Sequence, residues 1–327
     1  MKKFVLALVL CIAVLTGCTQ YIWVPVYDYD NNDNKPSEEP FVPDATDSAE
    51  LKALLTAFAN GQTTSAEIKL ADGNYVLDDT IEVGEGKSLT IIGESENAVI
   101  SYGDNFYSNS NTFKVGDADY FALVHAGKNS AIHLENVTVS ARQLTAEEVA
   151  SSNNLAAILT EDADVYMDGV TVTGLRWTEP STGGLFGMQT GFGIRTTGTE
   201  VANDVVIKNS TFSDFQKAGI LVGSGAESAN NKDTVTIEGN TVTGVGATDK
   251  IAQNGMQISV ASVNQIKSIK NNTVSNLEYT IEGTSSTGIM LVSSGNSTEA
   301  DAFNSLATEI ENNNTFIDVQ TKTSVSV

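Results

Sequence analysis

The 327-residue sequence predicts an all-β solenoid, because three features recur together along the chain. An apolar anchor residue returns at intervals of 30 to 43 residues, and glycine or asparagine stands two positions after each anchor. Valine or phenylalanine stands five positions after most anchors, which indicates a short strand, a tight turn and a second short strand. The anchors are Ile91, Leu134, Met167, Ile207, Ile237, Ile269 and Ile310.

The residue two positions after each anchor predicts a turn with positive φ. Glycine and asparagine adopt that conformation more readily than other residues. The asparagine side chains of this column are also predicted to bond along the stack. The column consists of Gly93, Asn136, Gly169, Asn209, Gly239, Asn271 and Asn312.

A third strand is predicted before each later anchor, from a small residue followed by an apolar one. These pairs are Ala157-Ile158, Gly193-Ile194, Gly219-Ile220, Gly255-Met256 and Gly288-Ile289. By alternation the apolar residue points inward, and its neighbours Leu159, Arg195, Leu221, Gln257 and Met290 point outward. Three strands in each repeat favour a solenoid over a sandwich or a propeller. A propeller needs four strands in each blade and more aromatic residues.

A helix is predicted where the domain begins. The segment Asp47-Ser48-Ala49-Glu50 has the form of a capping box, and Gly61 ends the helix. The residues Leu51, Leu54, Leu55 and Phe58 follow at helical spacing, so the helix can cover the apolar end of a solenoid. No such helix is predicted near Val325–Val327, which leaves a strand edge and predicts end-to-end association.

Residues 46–327 resemble the pectin-lyase-like superfamily. The resemblance lies in the opening helix, the Gly-x-Tyr segment at 73–75, the strand Ser88–Gly93 and coils such as Ile269 to Val274. It implies a right-handed parallel β-helix of about seven coils. It also implies a carbohydrate groove formed by the outer face of one strand and a neighbouring loop. The superfamily includes polysaccharide lyases, glycoside hydrolases, adhesins and proteins with no known activity, so it specifies fold more than function.

The first residues predict export and a lipid anchor. A basic start, Met1-Lys2-Lys3, precedes an apolar run from Phe4 to Leu15 that is too short to span a bilayer. The next segment, Leu15-Thr16-Gly17-Cys18, resembles the lipobox of bacterial lipoproteins. That resemblance implies a signal peptide at 1–17, lipid on Cys18 and, because no Asp follows Cys18, the outer membrane. The alternative is an ordinary signal peptide with a chance cysteine.

Residues 18–45 are predicted to form an acidic, proline-containing linker between the lipid anchor and the domain at 46–327. The only other cysteine, Cys11, leaves with the signal peptide. The mature domain is therefore expected to have no disulfide and no cysteine metal site.

The charge balance excludes nucleic-acid binding. The chain has 41 acidic and 18 basic residues, for a net charge of −23, whereas nucleic-acid binders carry a basic surface. Its apolar content of 41% is high enough for a packed core rather than a disordered acidic chain.

The predicted outer strand face lacks the residues of a complete catalytic site. Neither the calcium-binding carboxylates of a pectate-lyase-like enzyme nor the paired aspartates of a polygalacturonase-like enzyme are present, so binding is favoured over catalysis. The two Asp-Ala-Asp segments at 117–119 and 162–164 are weak candidates for calcium and are better interpreted as turn carboxylates. No other cofactor or metal is predicted. His125 and His133 are both interpreted as solvated.

The arginines suggest a ligand site. All three lie within 54 residues, and two of them, with one lysine, follow successive anchors at corresponding coil exits. A sugar ring would stack on a tryptophan in the glycine-rich loop 173–192, and the arginines would bind a carboxylate or sulfate group of the sugar. The alternative is exposed arginines beside a tryptophan that packs the loop down. The candidate residues are Arg142, Arg176, Trp177, Glu179, Arg195 and Lys217.

These features favour a lipid-anchored cell-envelope protein that binds a glycan or another surface polymer. The first alternative is a polysaccharide lyase or glycoside hydrolase acting on an acidic polysaccharide. In that case the arginines bind the substrate carboxylate or act as base, and Glu161 or Glu179 is the acid partner. The second alternative is a structural or adhesive stalk.

Overall fold

A computed structural model describes residues 41–141, 154–176, 189–198, 201–224, 233–294 and 299–327. Most of these residues form three sheets, in each of which neighbouring strands run parallel. Sheet A consists, in hydrogen-bonding order, of β1 (Ser65–Leu70), β4 (Ser88–Gly93), β8 (Ala131–Glu135), β11 (Asp164–Asp168), β14 (Asp204–Lys208), β17 (Thr234–Glu238) and β20 (Ile266–Lys270). Sheet B consists of β2 (Gly73–Leu77), β5 (Ala98–Tyr102), β9 (Thr138–Ser140), β12 (Thr171–Thr173), β15 (Thr211–Phe212), β18 (Thr241–Thr248), β21 (Thr273–Tyr279) and β23 (Thr315–Val319).

The third sheet, sheet C, completes each repeat. Its strands are β3 (Ile81–Val83), β7 (Ala118–Ala126), β10 (Asn154–Glu161), β13 (Phe192–Gly198), β16 (Ala218–Ser224), β19 (Asn254–Val260), β22 (Thr287–Ser293) and β24 (Thr321–Ser326). One further strand, β6 (Phe113–Val115), pairs antiparallel with β7. The helices are α1 (Ser48–Asn60), α2 (Phe106–Asn109), a 3₁₀ turn (Val263–Gln265) and α3 (Ala300–Asn313). Successive strands along the chain belong to sheets A, B and C in turn, which is consistent with a parallel β-helix.

The anchor residues form one column inside sheet A. Six of the seven predicted anchors, from Ile91 to Ile269, are buried partners on successive strands, and Ile68 of β1 adds another member. The prediction for Ile310 was wrong, because this residue lies in α3. Its buried side chain packs from a helix rather than from a strand, so apolarity alone misplaced it.

The predicted turns are present in five coils. Asn136, Gly169, Asn209, Gly239 and Asn271 all have φ between 48° and 70°. The predictions for Gly93 and Asn312 were wrong, because Gly93 lies within β4 and Asn312 within α3. Glycine is needed at position 93 for a different reason: a Cβ there would lie 2.2 Å from the Asn136 carbonyl oxygen.

An amide ladder runs through the stack, but one residue later than predicted. The asparagines at the positive-φ positions are exposed, whereas the next residue in each coil points inward. Asn240 Nδ2 donates to Asn272 Oδ1 at 2.9 Å, and Asn272 Nδ2 donates to Asn314 Oδ1 at 2.8 Å. Each amide also donates to a main-chain carbonyl of the neighbouring coil. The ladder therefore joins the last coils through their interior.

Helices pack at both ends of the described stack. Asp47 caps α1 as predicted, accepting from the amides of Ala49 and Glu50 at 2.8 and 2.9 Å, and Leu51 and Phe58 are buried.

The absence of a capping helix at the other end was a wrong prediction. Helix α3 buries Phe303, Ala307 and Ile310 and packs against β20, β22 and β24. The outer strands of sheets B and C at this end are β23 and β24, so end-to-end association stays a prediction. Within the described residues, every helix is too short or too polar to span a bilayer.

Candidate functional site

The outer face of sheet C carries the candidate site. As predicted, the residues Ile158, Ile194, Ile220, Met256 and Ile289 are fully buried and share one register. Their outward neighbours form a second register column, which β3, β7 and β24 extend. That column consists of Glu82, His125, Leu159, Arg195, Leu221, Gln257, Met290 and Ser324.

Arg195 lies against two aromatic rings on this face. Its guanidinium carbon is 4.8 Å from the ring centroid of Tyr120 and 5.5 Å from that of Phe192. Both rings are buried, and such contacts between a cation and aromatic rings stabilise the charge. The Nε atom of Arg195 is buried without a hydrogen-bond partner. Nearly all buried donors in folded proteins have an acceptor, so this unpaired Nε is an exception.

His125 is buried, which corrects its interpretation as solvated. Only 7% of the residue is exposed, its Nε2 lies 3.2 Å from Glu161 Oε1, and the Phe113 ring stacks on it at 3.7 Å. Strand β6 accounts for this burial, because it turns back along β7 and brings Phe113 onto the imidazole. His125 Nδ1 is a second buried atom without a hydrogen-bond partner. His133 points outward from sheet A and is partly exposed, as predicted.

The surroundings of these polar groups are apolar. A cluster of buried residues separate from the interior core covers this face: Tyr120, Ala122, Ala156, Leu159, Phe192 and Ala218. Phe113 and Leu221 pack against it. Burial raises the pKa of the Tyr120 hydroxyl, and the positive charge of Arg195 partly opposes that shift. Charge interactions are stronger in such a setting than in water.

The other predicted cations have different partners. Arg176 lies near Asp214: burial raises the pKa of that carboxyl, and the arginine charge opposes the shift. The Nζ atom of Lys217 donates to the Ala252 carbonyl at 2.8 Å, and burial lowers the pKa of this lysine. Arg142, Trp177, Glu179 and Cys18 lie outside the described residues. A single patch that joins these groups therefore stays a prediction.

Three aspartates of the two Asp-Ala-Asp segments have protein partners. Asp162 Oδ1 accepts from the Val201 amide at 3.3 Å, and Asp164 Oδ1 accepts from the Asp204 amide at 2.8 Å. Asp119 pairs with Lys114 at 3.7 Å. The described part of the chain contains no group of three or more histidines, cysteines or carboxylates placed to hold a metal ion.

The pair of His125 and Glu161 was not recognised from the sequence, although a signal was available. Aligning 122–125 with 156–159 places Ala122 beside Ala156 and Val124 beside Ile158. That alignment puts His125 in the outward column next to Leu159. The sequence comparison missed it because β7 is longer than the later strands and has no Gly-Ile signature.

No family model, curated protein or solved structure matches the chain.

Proposed function

We propose that this chain is a lipid-anchored cell-envelope protein that binds a glycan or another surface polymer on the outer face of sheet C. The observation that carries the proposal is Arg195, held against Tyr120 and Phe192 with a buried, unpaired Nε. An arginine in this position suits a carboxylate, sulfate or hydroxyl of a sugar, and the apolar residues beside it suit the C–H face of the ring. On a chain of net charge −23, only a local cation of this kind attracts an acidic ligand.

The proposed fold is a right-handed parallel β-helix similar to the pectin-lyase-like superfamily. Support for the handedness comes from the parallel crossovers within each sheet, because such connections are right-handed in about 98% of cases. Support for the superfamily comes from the opening helix and the Gly-x-Tyr segment at 73–75, which lies in β2.

Replacing Arg195 by glutamine is expected to weaken glycan binding about tenfold, since it removes charge-assisted hydrogen bonds and the contact with the rings. The measurement is binding to an array of neutral, carboxylated and sulfated glycans. Lys114→Gln is the matched control, because that lysine is an exposed cation on β6. Unchanged binding by Arg195→Gln, with Lys114→Gln also unchanged, contradicts the proposal.

A second candidate function is catalysis on an acidic polysaccharide by a lyase or hydrolase. The contact of 3.2 Å between His125 and Glu161 favours it, because a paired imidazole and carboxylate can act as general acid and base. A lyase would release unsaturated, ultraviolet-absorbing products from uronic-acid polymers. A hydrolase would release new reducing ends. The binding proposal gives neither product.

The lipid anchor rests on the segment Leu15-Thr16-Gly17-Cys18. Replacing Cys18 by serine is expected to move the protein from the membrane fraction to the soluble fraction, since it removes the thiol that carries the lipid. Cell fractionation and incorporation of labelled palmitate measure the two effects. Retention of Cys18→Ser in the membrane, or no label on the unaltered chain, contradicts the anchor.

A further inference from the structure

The outer face of sheet B carries two columns of hydroxyl residues. In six successive coils, from β9 to β23, a buried valine or a phenylalanine is flanked by outward residues on both sides. The first column is threonine in all six coils: Thr138, Thr171, Thr211, Thr241, Thr273 and Thr315. The second column consists of Ser140, Thr173, Ser213, Thr243, Ser275 and Ile317. Eleven of these twelve positions are therefore threonine or serine.

This face is uncharged on a strongly acidic chain. None of the twelve positions carries a charge, although the net charge is −23. The corresponding outward column of sheet A is charged in five successive coils, with Glu135, Asp168, Lys208, Glu238 and Lys270 in register. A preference of outward strand positions for threonine does not explain this difference, because it applies to both sheets. The uniform face is a property of sheet B.

The hydroxyl groups form a regular lattice. Neighbouring coils in a sheet lie about 4.8 Å apart, and outward residues two positions apart on a strand are separated by roughly 6.6 Å. The residues between the columns hold the face in place, since Val139, Val172, Phe212, Val242 and Val274 are completely buried. Threonine has a restricted χ1, so its methyl and hydroxyl groups have few alternative positions.

Hydrogen bonds within the lattice orient some of its hydroxyls. Ser213 Oγ donates to Thr173 Oγ1 at 3.3 Å, and Ser275 Oγ donates to Thr243 Oγ1 at the same distance. A surface ordered in this way loses little conformational entropy when it binds. Many weak contacts can then add up, provided that the ligand has the same repeat.

We infer that this hydroxyl face binds ice. Apart from Ile317, the twelve positions present hydroxyl and methyl groups, and none of them carries an aromatic ring, an amide or a charge to recognise an individual sugar. Its spacing between coils is close to a repeat of water molecules in hexagonal ice, so the hydroxyls can occupy lattice positions while the methyl groups lie between water molecules. The inference is independent of the site on sheet C, because no residue is shared.

The full chain carrying Cys18→Ser, which keeps it free of lipid, is the protein for the test. We expect it to shape growing ice crystals, to show thermal hysteresis and to be taken up into a slowly growing ice front. Thr211→Tyr combined with Thr241→Tyr is expected to remove most of all three effects, because two large rings interrupt the lattice at its centre. Thr236→Tyr is the matched control: it places the same ring on the outer face of sheet A and should leave ice binding intact.

Circular dichroism and thermal melting establish that each variant is folded. If the tyrosine pair does not fold, Thr211→Ser with Thr241→Ser retains the hydroxyls, removes two methyl groups and is expected to lower thermal hysteresis measurably. The inference is overturned if the Cys18→Ser chain neither shapes ice nor shows thermal hysteresis. It is also overturned if the folded tyrosine pair shows the same ice shaping and hysteresis as the chain with Thr211 and Thr241. Binding to crystalline cellulose or chitin that these variants lose, without any effect on ice, overturns it in favour of a polysaccharide.

Discussion

Replacing Asn272 by alanine is expected to lower the free energy of unfolding by about 4 kcal/mol, because several buried polar groups lose their partners at once. Asn272 Oδ1 accepts from both the main-chain amide and the side-chain amide of Asn240, each at 2.9 Å. Asn272 Nδ2 donates to Asn314 Oδ1 and to the Ile237 carbonyl. The residue is fully buried, so water cannot easily take the place of the lost hydrogen-bond partners.

Denaturant unfolding followed by circular dichroism measures this effect. The control is Asn271→Gly, which changes the neighbouring asparagine at an exposed position with φ of 59°, where glycine adopts the same turn. We expect that change to cost less than about 1 kcal/mol. Equal losses for the two variants would show that the turn, rather than the buried ladder, holds these coils together.

The ladder shows where the sequence was informative and where it was not. The recurrence of asparagine predicted both a turn and a stack of amides, but the two roles belong to adjacent residues. A residue with positive φ directs its side chain outward here, and the following residue returns to the interior. Periodicity located the coil to within one position, and that position decides which amide is buried.

The helix α3 was missed for a related reason. Ile310 followed the spacing of the anchors, and the segment Asn312 to Phe316 roughly matched the earlier coils. The residues that precede this segment, in α3, have apolar side chains at helical spacing, namely Phe303, Leu306, Ala307 and Ile310. Competing periods of this kind cannot be resolved by counting apolar residues, because both patterns bury Ile310.

The candidate site could be predicted only in part. Alternation along the strands placed Arg195 on the outer face of sheet C, as the structure has it. The rings beneath it come from β7 and β13, and Phe113 reaches His125 because β6 reverses direction. Contacts made by a strand that lies outside the repeat cannot be derived from the repeat.

The hydroxyl face of sheet B, by contrast, can be predicted from the sequence, since Thr-Val-Ser and Thr-Val-Thr recur at 138–140, 171–173, 241–243 and 273–275.

In four coils, a glycine that packs against its neighbours precedes the inward apolar residue of sheet C. A Cβ on Gly255 would lie 2.6 Å from the Gly288 carbonyl oxygen and 2.7 Å from Val274 Cγ1. Gly193, Gly219 and Gly288 are similarly close to the next coil and to an inward side chain of sheet B. In these four coils the inner corner between sheets B and C is therefore too narrow for a side chain, whereas Ala157 occupies the corresponding position in β10.

Gly255→Ala is expected to lower the free energy of unfolding by about 3 kcal/mol, because overpacking must displace either the β19–β22 hydrogen bonds or Val274. Thermal melting and denaturant unfolding measure the loss. Gly84→Ala is the control, since a Cβ there meets no atom within 4 Å and its φ is not positive. That change should be neutral or slightly stabilising, because alanine reduces the entropy of the unfolded chain. If Gly255→Ala is as stable as Gly84→Ala, the coils can separate at this corner without cost. The close approach of sheets B and C would then not be the reason for glycine at position 255.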